Sequence, residues 1–509
     1  MTNLPLPNYI ILKILNNLAS QFKQLPVILE FLRIASLVCK DWKEKLIPKI
    51  DFYTLSIDMN YKYKTYKEFK DILKFNINGF TVNFQENDQS VYDLIFNDKH
   101  KTSIAKSFIV KTLDIKNSFD KLKLLDEYFG GITGIEGINS GGKKLSLKQL
   151  SDLPLRRTLT HLDLSSILID PDDLISFVDS QPLDHLTLKS TPYGYEGLSD
   201  SVDKLYIYMK SNKTITSFNI FNYFYAGSKS LVIDLLNSNS NITEMCVTNL
   251  TKTFPEDIEN DPHEKERRQL LNKIQNNTLK KLYVDSNLDW FHKWWDFTSA
   301  IKELTLSPFG TEELSLVTNS HGLLKTLTVG QISDPNLVCE LIKKNTSITH
   351  LIIYQSNWDV NQVFLEALNS NTVIQSIKLL SITADRFKAL LNLNHSSLFE
   401  LIVKLESAKD FLDSKKEICN CNYIKSLKIE LNSEHFNDET YSSLFEVVLN
   451  IIKSNLNLIS FECATFNRLD KNQLNSLISV LKNRIIGLKK LNLGIPSLFY
   501  SLKQILIEI

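Results

Sequence analysis

The amino-acid sequence predicts an α/β solenoid of short parallel strands alternating with helices, preceded by a small α-helical N-terminal domain. The chain has 509 residues, which is too long for one compact core. A short apolar pattern returns from about residue 155 to the C-terminus, and segments with helical apolar spacing lie between its occurrences. A repeat array of this kind explains the length, the recurrence and the alternation together.

Composition excludes several classes of protein. Hydrophobic residues make up 43% of the chain, and 58 Lys and Arg balance 58 Asp and Glu. A neutral chain lacks the basic footprint of a nucleic-acid or anionic-membrane binder, so we expect neither partner. No apolar run approaches the ~20 residues that span a bilayer. The apolar start carries Pro5 and Pro7 and no basic residues before them, so we expect a protein of the cytoplasm or nucleus.

The recurring pattern is apolar-x-x-apolar-x-apolar, and each occurrence predicts one strand. The starts are 22 to 37 residues apart, which leaves room for one helix between strands. The thirteen triplets begin at Leu159, Leu183, Ile215, Ile242, Leu279, Ile301, Leu324, Ile348, Ile374, Leu398, Ile424, Leu458 and Leu488.

Helix boundaries are also readable. Asp334-Pro335 and Asp438-Glu439-Thr440 stand where helices begin, as N-caps require. Asparagine repeatedly closes the helices, and we expect it there because it tolerates the left-handed backbone conformation. These closing residues are Asn212, Asn239, Asn345, Asn371 and Asn455.

Residues 1–154 read differently from the repeats. Residues 1–50 contain two helical apolar stripes and predict a small helical domain. Residues 51–154 are a transition with degenerate repeats, in which 53–57 and 80–84 alternate like strands and 112–115 starts an early repeat. Six glycines between Gly130 and Gly142 predict a loop or a poorly regular unit.

Residues 155–509 resemble the leucine-rich repeat family, in the helix-bearing class that includes ribonuclease-inhibitor-like proteins. The resemblance implies a horseshoe whose parallel sheet is concave and whose helices are convex, presenting a protein-binding surface. The asparagine that follows the strand in this family is mostly missing, and Asn287 is one of few candidates. An ordinary α/β domain and armadillo-like helices are the alternatives.

Residues 6–50 resemble an F-box, through Leu6-Pro7, the spaced Ile10, Ile14, Leu15 and Leu18, and the closing Val38-Cys39-Lys40-Asp41-Trp42. The resemblance implies docking onto the Skp-type adaptor of a cullin ubiquitin ligase. By the same resemblance, the adaptor interface contains Leu6, Pro7, Ile10, Ile14 and Leu15, whereas Leu37, Val38 and Trp42 are mainly core. The alternative is a helical cap on the solenoid, which repeat proteins need for solubility.

Strand periodicity also predicts the partner-binding surface. The second, third, fifth and seventh positions of each repeat face outward, because side chains alternate along a strand. Outward apolar residues suggest a protein-binding patch, unless they pack among themselves. The candidates are Tyr283, Ile352, Tyr354, Leu380 and Ile402 on the sheet, with Tyr223, Phe224 and Tyr225 at its rim.

No constellation for catalysis is present in the sequence. Residues Gly137 to Lys143 fit the spacing of a phosphate loop, but Lys144 stands where the metal-binding Ser or Thr belongs. His161 and His185 are expected to be surface neighbours, with a metal pair as the less favoured alternative. We therefore predict no enzyme, cofactor or metal. The sequence favours a substrate receptor of a ubiquitin ligase, and the alternative is a leucine-rich-repeat scaffold or regulator with no ligase link.

Overall fold

The structure of the protein is a computed structural model that divides into two units, residues 1–261 and 262–509. It describes five short strands between residues 56 and 145. It also describes residues 7–19, 25–50, 159–165, 168–189, 198–221, 229–248, 276–285, 300–307, 309–318, 322–355, 358, 360–431, 436–463, 465–466, 469–484, 487–488 and 490–493.

The first unit begins with the N-terminal helical segment, residues 7–50. It contains α1 (Asn8–Ala19), α2 (Leu25–Val38), a π-helical turn (Trp42–Leu46) and a 3-10 turn (Ile47–Lys49). Pro7 precedes α1, and its carbonyl accepts the N–H groups of Ile10 and Ile11 at 2.9 and 3.2 Å. The buried apolar core of the segment consists of Leu15, Ala19, Ile28, Leu29, Leu32, Ala35, Leu46, Ile47 and Ile50.

The rest of the first unit is a parallel sheet with intervening helices. Its strands are β1 (Ser56–Asp58), β2 (Thr81–Asn83), β3 (Ile109–Lys111), β4 (Gly134–Glu136), β5 (Lys144–Leu145), β6 (His161–Ser165), β7 (Leu168–Ile169), β8 (His185–Lys189), β9 (Ser217–Phe221) and β10 (Glu244–Thr248). Its helices are α3 (Pro171–Ser180), α4 (Leu198–Met209) and α5 (Lys229–Ser238). The main sheet has the order β1-β2-β3-β4-β6-β8-β9-β10, and β5 pairs separately with β7.

The second unit repeats this organisation. Its strands are β11 (Lys281–Asp285), β12 (Glu303–Ser307), β13 (Thr326–Gly330), β14 (His350–Tyr354), β15 (Ser376–Ile382), β16 (Glu400–Leu405), β17 (Ser426–Leu431), β18 (Ser460–Glu462) and β19 (Lys490–Asn492). Its helices are α6 (Thr311–Thr318), α7 (Pro335–Lys344), α8 (Gln362–Ser370), α9 (Ala384–Leu391), α10 (Ala408–Asp413), α11 (Lys415–Asn420), α12 (Asp438–Ser454) and α13 (Lys471–Lys482). The strands pair in parallel in chain order.

The predicted strands are confirmed, and each of the thirteen begins two residues after the first apolar residue of its triplet. Equivalent positions pair in register, as Leu282, Leu304 and Leu327 do on successive strands. These leucines are buried, and so are the apolar stripes of helices such as α7. Each unit is therefore an α/β solenoid in which stacked triplets and helix stripes make a shared core.

Helix starts agree with the sequence to within one residue. Asp334 caps α7, and its carboxylate accepts the N–H of Asn336 at 2.9 Å. The cap of α12 is Asn437, whose side chain accepts the N–H of Thr440 at 2.8 Å. Asp438 and Glu439, expected near the cap, lie in the first turn, where negative charge also stabilises a helix.

The described residues of the transition region are five short strands. Strands β1 and β2 overlap the two alternating segments, whereas residues 112–115 lie outside the described residues. The glycine-rich stretch was expected to be a loop or a poorly regular unit, and the three-residue strand β4 lies within it. Ladder bonds to both β3 and β6 compensate there for the weak strand preference of glycine.

The asparagines that close the helices act through their side chains and not through a left-handed backbone. The φ values of Asn345, Asn371 and Asn455 are −67°, −95° and −85°, so the expected mechanism was wrong. The Oδ1 atom of Asn371 accepts the N–H groups of Val373 and Ile374, both at 2.8 Å. Its Nδ2 group donates to the carbonyls of Ile342 at 2.8 Å and Asn345 at 3.1 Å, in the preceding repeat.

This side chain thus folds its own turn and ties it to the previous one. Asn239 donates in the same way to the carbonyls of Met209 and Asn212, and Asn455 donates to those of Ile418 and Cys421. We call the residues that bond the turn between a helix and the next strand the turn ladder. All members but the last stand three residues before a triplet. The turn ladder consists of Asn212, Asn239, Asn276, Asn345, Asn371, His395, Cys421, Asn455 and Arg484.

Other residue types reproduce all or part of these bonds within the turn ladder. Nδ1 of His395 accepts the N–H groups of Ser397 at 3.1 Å and Leu398 at 2.9 Å, so Nε2 carries the proton and donates to Leu368. The Cys421 thiol accepts the N–H groups two and three residues later. Arg484 donates to the carbonyl of Asn455 at 2.7 Å. Asparagine and histidine supply both an acceptor and a donor at this position, whereas Cys421 supplies only an acceptor and Arg484 only donors.

Replacing Asn371 tests the turn ladder. We expect Asn371→Ala to cost about 3 kcal/mol, because two N–H groups and two carbonyls lose a buried partner. Denaturant unfolding and hydrogen exchange of residues 371–379 measure this loss. Asn369→Ala, at an exposed position of α8, is the matched control and should change stability by less than about 0.5 kcal/mol. Equal effects of the two substitutions would contradict the role of the ladder.

Protonation of His395 should weaken its turn. Burial lowers the pKa of His395 below its usual 6.5, although the Leu368 and Asn371 carbonyls act in the opposite direction. The unfolded chain therefore takes up a proton at a higher pH than the folded chain does. Stability falls as pH drops below about 6.5, by at most about 1.4 kcal/mol per pH unit.

Hydrogen exchange of residues 395–405, corrected for intrinsic rates, measures this dependence at pH 7.5 and 5.5. His395→Asn keeps the acceptor and the donor but cannot titrate, so its protection should not fall between the two pH values beyond the background change elsewhere. An unchanged pH response in that variant would assign the effect to other groups.

Candidate functional site

The outward side chains of β11–β19 form the strand face of the second unit. Alternation along each strand produces this face. In β14, Leu351 and Ile353 are buried, Ile352 is half-buried, and Tyr354 is 63% exposed. The outward positions therefore do not contribute to the core and are available for contacts with other molecules.

The fifth positions of the repeats lie in one continuous column, as the strand register requires. This central column runs Tyr283, Thr305, Thr328, Ile352, Lys378, Ile402, Lys428, Glu462 and Asn492. Tyr283 is separated from Ile352 by two threonines, and Lys378 stands between Ile352 and Ile402. The predicted apolar residues are thus placed on one face, but the patch that they form is mixed with polar and cationic side chains.

A β-bulge between β15 and β16 changes the orientation of Leu380, one of the predicted partner-binding residues. On β15 and β16, Leu379 pairs with Val403 and Ile382 pairs with Leu405, so two residues, Leu380 and Ser381, face a single residue of β16. Ser381 has a φ of 55°, in the left-handed region that costs an L-residue about 1 kcal/mol. The bulge turns the half-buried Leu380 away from the regular alternation.

Most charges on the strand face are compensated. Lys428 lies 3.0 Å from Glu430 and 3.3 Å from Glu462. Burial lowers the pKa of Lys428, but the hydrogen bonds and charges of these two glutamates outweigh burial and raise it overall. Glu400 accepts the hydroxyls of Ser376 at 2.6 Å and Ser426 at 3.2 Å. Lys378 and Lys404 have no ion pair among the described residues.

The first unit contains the predicted histidine neighbours. His161 pairs in register with His185, and their ring centroids are 5.5 Å apart. His185 also lies 3.7 Å from Asp184. Tyr223, Phe224 and Tyr225 lie outside the described residues, so their place at the rim stays a prediction. Across the described ranges, no group of three or more His, Cys, Asp or Glu has the arrangement of a metal site.

The N-terminal helical segment exposes some predicted docking residues and buries another. Pro7 is exposed, Ile10 is half-buried, and Leu6 lies outside the described residues. Ile14 is 48% exposed, whereas Leu15 is only 3% exposed. Leu15 was expected at the adaptor interface, and its burial corrects this. It shares a helix face with the buried Ala19 four residues later, and Ile14 lies about 100° around the helix.

The end of α2 also differs from the expectation. Leu37 and Val38 were expected in the core, but they are 83% and 56% exposed. The buried stripe of α2 passes through Ile28, Leu32 and Ala35, so Leu37 lies on the other side of the helix, and Val38 ends the helix. Trp42, also expected in the core, is half-buried. Sequence reasoning missed Leu37 and Val38 as surface residues, although the spacing of the α2 stripe carried the signal.

Comparisons with known proteins find similarity only among solved structures. No protein-family model matches the chain, and no curated protein matches it. Among solved structures, it is similar to a chain of the Toll–Spatzle complex, a molecular hub in Drosophila development and innate immunity. The identity is 12% and the TM-score 0.31, and the match covers 75% of this chain and 42% of the other. The chain thus spans less than half of that relative, and its fold rests on its own strand pairing.

Over the part of the chain that the structure describes, no helix has the length and apolarity to cross a bilayer.

Adjacent substitutions on β14 test which residues face outward. We expect Ile353→Ala to destabilise the second unit by about 3 kcal/mol, because it empties a buried site. Tyr354→Ala should change stability by less than about 0.5 kcal/mol. Thermal and denaturant unfolding of the full chain measure both. The reverse order of effects would show that the strand face is assigned to the wrong side.

Proposed function

We propose that the protein is a protein-interaction subunit of a cullin-type ubiquitin ligase. The N-terminal helical segment would dock onto a Skp-type adaptor, and the strand face would capture a target protein. The proposal is carried by the exposed apolar side chains of a segment that buries nine other apolar side chains. These side chains are Tyr9, Ile14, Leu37 and Val38.

Their exposure has a physical cost that a partner would remove. Tyr9 is 72% exposed and Leu37 is 83% exposed, on a segment of fewer than fifty residues. Burying apolar surface stabilises a protein by about 25 cal/mol per Å², and this free energy is not gained while the surface stays in water. Exposed apolar residues that are concentrated on one short segment favour an interaction role for it. The resemblance of residues 6–50 to an F-box supports the choice of adaptor.

The strand face supports capture of a protein rather than catalysis. Tyr354 is an exposed aromatic anchor, and the half-buried Ile352 lies two residues before it on the same face of β14. Ile402 is a second half-buried apolar residue of the strand face, two strands away. Aromatic anchors within mixed surroundings are typical of protein interfaces. In this proposal the chemistry of ubiquitin transfer belongs to the partner ligase, and the chain supplies docking and recognition.

A substitution in α1 tests the adaptor link. We expect Ile14→Asp to weaken binding of recombinant Skp-type adaptor at least tenfold, because it places a charge in an apolar interface. Biolayer interferometry with the full chain measures the affinity. Ile207→Asp is the matched control, since Ile207 is 55% exposed on α4 and lies outside the helical segment.

Three outcomes decide the proposal. Loss of binding with Ile14→Asp and retention with Ile207→Asp support it. Equal losses with both variants contradict a specific site in the helical segment. If the wild-type chain binds no adaptor, the ligase link fails, and a repeat scaffold or regulator whose N-terminal helices form a cap is the remaining reading.

A further inference from the structure

Three lysines occupy equivalent positions on adjacent strands of the second unit. Lys280, Lys302 and Lys325 stand immediately before β11, β12 and β13. The N–H of Lys302 donates to the carbonyl of Lys280 at 2.8 Å, and the N–H of Lys325 donates to that of Lys302 at 2.9 Å. All three side chains are exposed. We call these three residues the lysine column.

The lysine column is not neutralised by the residues around it. Over the described part of the chain, none of the three ammonium groups has a carboxylate within ion-pair distance, and Lys325 has only a 3.5 Å contact with the carbonyl of Ser347. One position further along, the same sheet does pair opposite charges, since Lys281 lies 3.2 Å from Glu303. Like charges on adjacent strands repel each other, so the lysine column destabilises the pairing of β11, β12 and β13.

The turn itself does not require lysine. The equivalent positions of the first unit are Thr160, Asp184, Thr216 and Thr243, joined by the same backbone bonds. The hydroxyls of Thr216 and Thr243 each donate to the carbonyl of the preceding repeat at 3.3 Å. Threonine therefore meets the local structural need, and the three lysines call for another explanation.

We propose that the lysine column binds an acidic segment of a protein partner. The column spans two strand spacings, or about 10 Å, which about three residues of an extended chain cover. A run of three or four Asp or Glu would therefore match the ammonium groups one to one. Leu323, exposed two residues before Lys325, offers an apolar contact beside them. The inference rests on the proposed role in capturing proteins and specifies the chemistry of the captured segment.

Binding of a fluorescein-labelled hexaglutamate peptide to the full chain tests this proposal. Fluorescence anisotropy should show saturable binding that weakens at least fivefold between 50 and 300 mM salt, because screening reduces attraction between exposed charges. The triple variant Lys280→Thr, Lys302→Thr, Lys325→Thr should bind at least tenfold more weakly. It introduces the residue that the first unit uses there, so it should keep the fold, and circular dichroism checks this.

A control variant separates the column from general charge. This triple variant removes one exposed lysine from each of α7, α10 and α12 and carries Lys343→Thr, Lys409→Thr and Lys453→Thr. It should change the affinity for the peptide less than twofold. Replacing the column with three arginines should preserve binding. Equal losses in the two threonine variants, or no binding by the wild-type chain, would overturn the proposal.

Two further measurements identify the occupant and separate the two proposals. If single-stranded RNA binds through the column and hexaglutamate does not, the occupant is nucleic acid and the inference is wrong. Adaptor binding should be unchanged in the column variant, because the column is remote in sequence from the helical segment. Loss of peptide binding by the column variant, with adaptor binding intact, therefore supports the inference. If the wild-type chain binds the peptide through the column but binds no adaptor, the inference about the column holds and only the ligase proposal fails.

Discussion

The structure depends on satisfying the backbone at each buried turn where a helix gives way to the next strand. N–H and carbonyl groups at these turns lie between stacked repeats, where water does not reach them, and each unpaired group would be costly. At nine of the thirteen repeats, one side chain of the turn ladder meets this need. Asn371 shows the full pattern, because it accepts two N–H groups of its own turn and donates to two carbonyls of the preceding one. Repeats are therefore joined by polar bonds as well as by apolar stacking.

The turn ladder contains residues other than asparagine, and what these residues share is the hydrogen bonding of the turn. His395 and Cys421 differ from asparagine in shape and polarity, yet both accept the same two N–H groups of the turn. The histidine solution has a chemical consequence, because it works only while Nδ1 is unprotonated. We therefore expect the stability of one repeat of the second unit to depend on pH through a residue of its own fold.

The turn ladder and the apolar triplets hold the strands in register. The fold therefore does not depend on which residues occupy the outward positions of the sheet. The strand face can therefore carry residues that the fold does not need, such as Tyr354 and Lys378, which has no ion pair with any described residue. The lysine column is the clearest instance, since threonine serves at the same positions of the first unit. The exposed apolar residues of the N-terminal helical segment are a second instance, because the segment has its core without them.

The sequence by itself determined the strands and their faces. Thirteen apolar triplets predicted thirteen strands, since burying one face of a strand imposes a period of two whatever the neighbours are. Register then made the order of the central column predictable from Tyr283 to Asn492.

Only the tertiary structure decided how residues from different repeats are used. The bonds of Asn371 reach carbonyls in the preceding repeat, more than twenty-five residues earlier, so no local pattern reveals them. The burial of Leu15 and the exposure of Leu37 depend on which helix face meets a neighbour. Periodicity fixes which residues share a face, but only packing selects the face that is covered.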